Sequence, residues 1–67
     1  MQELKITLMD GSTETYRGGY RELNLLRARL LMAVEGQEVG ILKHVLVTGR
    51  ISIQADRIRD VGPVHPA

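Results

Sequence analysis

The sequence predicts a mainly β domain: a small barrel of about five strands, with an α+β arrangement, ββαββ, as the alternative. Three observations carry this reading. Leu4, Ile6 and Leu8 alternate with Lys5, Thr7 and Met9 ahead of an Asp10-Gly11 pair, the pattern of a half-buried strand entering a hairpin turn. Val39, Ile41, Val45, Val47, Ile51 and Ile53 form a second, β-branched stretch, mostly at period two. Between them, residues 20–35 satisfy two templates at once, and that segment separates the two folds.

Beyond the Asp10-Gly11 turn, Thr13, Thr15 and Arg17 alternate with Glu14 and Tyr16, giving a second, more polar strand. Gly18-Gly19 then marks a bulge, a sharp bend or a loop. Read as a helix, residues 20–35 gather Tyr20, Leu23, Leu26, Leu30, Ala33 and Val34 on one stripe. Arg27 stands on its flank and Gly36 is placed to cap the end. Leu, Ala, Met, Arg and Glu favour this template. Read as a strand, the segment turns Leu26, Ala28, Leu30, Met32 and Val34 inward and Arg27, Arg29 and Glu35 outward. The Arg27-Ala28-Arg29 alternation favours that one.

Later in the chain, Gly49-Arg50 marks a tight turn or bulge between strands over 45–48 and 51–54. Ala55-Asp56-Arg57 reads as a short turn, after which Ile58 and Val61 return to the core. Gly62-Pro63 ends the regular pattern. The chain therefore divides into one domain over residues 1–62 and a flexible C-terminal tail over 63–67.

Size decides the next expectation. At 67 residues, a chain buries a smaller fraction of its surface than a larger domain does. Such chains gain stability from disulfides, a metal or self-association. Cysteine is absent, which excludes disulfides and thiolate metal sites. His44 and His65 lie too far apart in sequence to suggest a structural zinc site, and no cofactor is expected. Self-association into a homo-oligomer is the remaining route. The exposed sheet edges it needs fall within Val39–Ile53, where Lys43 and Arg50 are the only full charges. The longest apolar run, Leu30 to Val34, is too short to cross a bilayer. Met1 to Lys5 has no apolar signal core behind a basic start. No membrane association and a cytoplasmic location are the expectation.

The formal net charge of +1 hides an uneven distribution. Residues 17–50 set Arg17, Arg21, Arg27, Arg29, Lys43 and Arg50 against Glu22, Glu35 and Glu38, a net of +3. Arginine pairs bidentately with phosphate or carboxylate. On a strand, Arg27 and Arg29 project about 7 Å apart, near the spacing of successive phosphates; on a helix they diverge by about 200°. Tyr16 and Tyr20 are the only Phe, Trp or Tyr rings, and either offers a face for a base. Asn24 is suited to a cap or a polar network. The candidate ligand-binding set is Arg17, Tyr20, Arg21, Asn24, Arg27, Arg29, Lys43 and Arg50. Catalytic residues are not among the candidates. Ser12 and Ser52 show no histidine partner, and "RGGY" lacks the phosphate-loop pattern.

A family pattern runs through these residues. "ITLMDGSTETYRGGYRELNLL" resembles the first conserved segment of Sm-like RNA-binding proteins, through Ile6, Leu8, Asp10-Gly11, Gly18 or Gly19, Leu23 and Asn24. "HVLVTGRISIQADRIRDVGPV" is similar to the closing strands of Sm-like or SH3-like small barrels. Tyr20 stands where that family carries an acidic residue, Glu22 at its base-stacking position, and Gly49-Arg50 reverses its Arg-Gly pair. The resemblance implies a non-enzymatic, homo-oligomeric small barrel that binds RNA, nucleotide or another anionic ligand. The alternative is a protein-interaction or regulatory module with a polypeptide partner, its small size alone suggesting a bacterial or viral source.

Overall fold

A computed structural model describes residues 1–47 and 49–67 of the chain. Thr48, part of the strand expected over 45–48, lies outside the described residues. The first hairpin forms as its alternation predicts. Strand β1 (Gln2–Leu8) pairs antiparallel with β2 (Thr13–Gly18), from Gln2 opposite Gly18 to Thr7 opposite Thr13. Gly11 takes φ +89°, a region costly for any residue with a Cβ. Asp10 Oδ1 accepts both the Ser12 N–H, at 2.9 Å, and the Ser12 hydroxyl, at 2.6 Å, which fixes the turn.

Residues 20–35 are a helix, α1 (Tyr20–Glu35). Leu23, Leu26, Leu30 and Ala33, spaced three or four apart, are all buried. The strand template requires Ala28 and Met32 to be inside, and both are exposed. Leu, Ala and Met at helical spacing thus outweigh the local Arg-Ala-Arg alternation. Gly36 is the C-cap, as expected, and the left-handed turn falls one residue later. Gly36 keeps φ −81°, and Gln37 takes the left-handed turn at φ 51°. The Glu38 N–H donates to the Ala33 carbonyl at 3.0 Å and the Gln37 N–H to the Val34 carbonyl at 3.3 Å, the paired bonds of a Schellman ending.

A second hairpin follows, β3 (Ile41–Leu46) with β4 (Gly49–Gln54), in register from Ile41 opposite Gln54 to Leu46 opposite Gly49. One 3₁₀ turn, Ala55–Arg57, leads into β5 (Ile58–Pro66). Strand β5 lies antiparallel along β1, so one sheet runs β2-β1-β5 while β3 and β4 form a separate pair. The described residues are mainly β with five strands, in the order ββαβββ, one strand more than the ββαββ alternative. The described strands do not close into a barrel. Winding residues 20–35 into a helix removes the strand that would have joined β2 to the second hairpin.

The segment read as a flexible tail is strand. Val64 lies opposite Leu4, His65 opposite Glu3 and Pro66 opposite Gln2. The register slips between Leu4 and Ile6, leaving Gly62 and Pro63 to bulge across from Lys5. A bulge on an edge strand is where a sheet tolerates proline. A Cβ on Gly62 would stand 3.1 Å from the Lys5 carbonyl oxygen. The Arg27 Nε–H donates to the Gly62 carbonyl at 3.0 Å, occupying an acceptor of the bulge.

One core joins the two sheets. Leu4, Ile6 and Leu8 of β1 meet Leu23, Leu26 and Leu30 of α1, with Leu46, Ile53, Ile58 and Val61 closing around them. Burying each such side chain contributes roughly 1.5–3 kcal/mol. No described helix is long and apolar enough to cross a membrane.

Candidate functional site

The candidate cations are placed on several different surfaces. Arg17 is on the outward face of β2, opposite Glu3, and its Nε–H donates to Glu3 Oε1 at 2.8 Å. Arg21 and Arg29 are exposed on α1. Arg27, around the helix from Arg29, is half-buried and committed to Gly62. The helix therefore excludes the paired Arg27–Arg29 phosphate clamp that the strand template provides, because the two side chains diverge by about 200°. Tyr20 is exposed at the start of α1, outside the stripe the sequence assigned it to. Asn24 Nδ2 donates to the Tyr20 carbonyl at 2.9 Å, a bond within the helix and not across a strand junction. Lys43 and Arg50 stand on the outward face of the β3–β4 hairpin, opposite Ser52 and Val45 respectively.

Arg50 shares one cavity with Arg17 and another, of about 300 Å³, with Lys43. Arg17 and Arg50 line one cavity of about 420 Å³ between β2 and β4, with Tyr16, Leu46 and Ile51 in its wall. Among the described residues Arg50 has no carboxylate within ion-pair distance. The Tyr16 hydroxyl donates to Glu14 Oε2. Burial, followed by that carboxylate, pushes the Tyr16 phenol well above its ordinary value. Tyr16 is thus half-buried, with its hydroxyl held by Glu14.

An uncovered apolar row lies on β3. Leu42 and Leu46 turn inward, so the alternate residues Ile41 and Val45 turn out and are 64% and 66% exposed. Val39 and Val47 extend the same parity just beyond the strand and are 85% and 81% exposed. Lys43 is the single charge in that row. Strand β3 pairs with β4 alone among the described strands, so one of its edges is bare. The candidate residues chosen for charge missed this row. Its sequence signal was the aliphatic residues at odd-numbered positions, Val39, Ile41, Val45 and Val47, interrupted only by Lys43. Comparison with known proteins adds no relative: no family model, curated protein or solved structure matches the chain.

Proposed function

We propose that this protein is a non-enzymatic assembly and protein-interaction module, joined to further copies of itself through β3. The observation that carries this is the coincidence of a bare strand edge with the exposed aliphatic row Val39, Ile41, Val45 and Val47. A two-stranded hairpin is marginal by itself in water. Antiparallel pairing of β3 with a second β3 extends it to four strands and sets the two aliphatic rows side by side on one face. A register centred on Leu42 or His44 keeps the two Lys43 side chains from facing each other, which like charges require. The dispersal of Arg21, Arg27 and Arg29 supports this reading over a nucleic-acid clamp.

Light scattering on two variants provides the test. Val45→Glu places a charge on the outward face without touching the core, and a folded monomer is expected. Leu25→Glu alters the exposed face of α1 and is expected to keep the assembled mass. A mass that falls with Leu25→Glu and persists with Val45→Glu moves the interface to the helix and removes the proposal.

A further inference from the structure

We propose that the opening between β2 and β4 is a strand-insertion site for an extended polypeptide carrying acidic side chains at alternate positions. This stands apart from assembly through β3, since it uses the opposite edge of the hairpin.

The hydrogen-bond parity of each ladder defines what faces the opening. The Leu8 N–H donates to the Ser12 carbonyl at 2.8 Å, so Leu8–Ser12 is a bonded pair. Antiparallel ladders alternate bonded and non-bonded pairs. Ile6–Glu14 and Leu4–Tyr16 are therefore bonded, and Lys5–Thr15 and Glu3–Arg17 are not. Thr15 and Arg17 direct their backbone N–H and C=O away from β1. On β4 the count starts from the Ala55 N–H, which donates to the Gly40 carbonyl at 2.8 Å. Leu42–Ile53 and His44–Ile51 are then bonded, while Arg50, Ser52 and Gln54 direct their backbone groups away from β3.

These free groups meet in space. Thr15 and Arg17 share the cavity of about 420 Å³ with Arg50, and Glu14 shares a neighbouring one of about 280 Å³ with Ser52 and Gln54. Residues 14 to 17 thus run against residues 54 to 49 along two adjacent cavities, with no ladder joining the two edges among the described residues. A strand entering there gains backbone partners on both sides, the mode of β-augmentation.

Side-chain chemistry selects the occupant. Arg17 and Arg50 lie on the outward face; Tyr16, Leu46 and Ile51 lie on the inner one. A strand presents alternate residues to opposite faces, so acidic residues alternating with aliphatic ones match both walls. A phosphate chain would leave the alternating backbone donors and acceptors unmatched.

The probe is the peptide acetyl-Glu-Val-Glu-Val-Glu-Val-amide, titrated into the intact protein by NMR with amide hydrogen exchange. Binding should slow exchange at Thr15, Arg17, Arg50, Ser52 and Gln54. N-methylation of alternate peptide residues should weaken it at least about tenfold. Arg50→Glu should invert the preference toward a Lys-Val counterpart while leaving the fold intact. Protection of the same amides in the free protein would mean that β2 and β4 already pair directly, and would overturn the proposal. Indifference to N-methylation, mapping of the peptide to β3, or binding of oligouridylate but not peptide at these residues would overturn it equally.

Discussion

The Glu22 carboxylate accepts the backbone N–H of Val47 at 2.7 Å, tying the first turn of α1 to the end of β3. The same side chain favours the positive end of the helix dipole, where no side-chain cap is present at Gly19. The contact spans 25 positions in sequence and fixes the hairpin against the helix. Glu22→Ala should cost about 1 kcal/mol, at the low end for a charged acceptor because the contact is exposed. The Val47 amide should exchange faster as a result. Glu22→Gln, which keeps a carbonyl acceptor, should retain part of the protection. Chemical denaturation and amide exchange measure both effects.

Gln37 occupies a left-handed conformation at φ 51° immediately after the helix. A residue with a Cβ there costs roughly 1–2 kcal/mol, and glycine avoids that cost while losing more chain entropy. Gln37→Gly should therefore stabilise the protein by about 0.5–1 kcal/mol, seen as a rise of several degrees in Tm. No change would mean that the Schellman ending is not held in solution.

Hydrogen bonds from the Ser12 hydroxyl and N–H, aided by Arg57, hold the Asp10 carboxyl below its ordinary value. A depressed folded-state value contributes stability that is present above the unfolded value, about 3.9, and is lost as pH falls through the folded one. Ser12→Ala removes the largest cause. NMR titration of Asp10 should show its midpoint moving up toward the ordinary value, with the hairpin losing protection at less acidic pH.

Tyr16 behaves in the opposite sense. Its phenol is raised, so the folded state keeps the proton after the unfolded chain has released it at about pH 10. Stability should fall as pH rises above that point. In a Tyr20→Phe variant, which isolates Tyr16, phenolate absorbance should appear together with unfolding and not before it. Replacing Glu14 by Gln should bring the midpoint down.

Much of the scaffold was legible because short-range chemistry determined it. Asp10-Gly11 and the Leu4-Ile6-Leu8 alternation specify β1, the turn and β2 without reference to the rest of the chain. Ala55-Asp56-Arg57 read correctly as a turn, and Ile58 and Val61 are buried as expected. Residues 20–35 stayed open because period two and period 3.6 both bury Leu26 and Leu30; the fates of Leu23, Ala28, Met32 and Ala33 separate them, and those are tertiary facts. The strand from Pro63 to Pro66 was hidden by its prolines, which read as a tail until β1 supplies an edge and Arg27 meets the bulge carbonyl. The candidate arginines were chosen by charge, yet which of them share a surface depends on the strand pairing. Arg17 and Arg50 meet only because β2 and β4 border the same opening.

The most direct measurement is the light-scattering mass of the unmodified protein across a wide concentration range at neutral pH. Assembly through β3 predicts a dimer or higher multiple of the 7.5 kDa chain, with dissociation on dilution. A folded 7.5 kDa species that stays single at the highest concentration would contradict it.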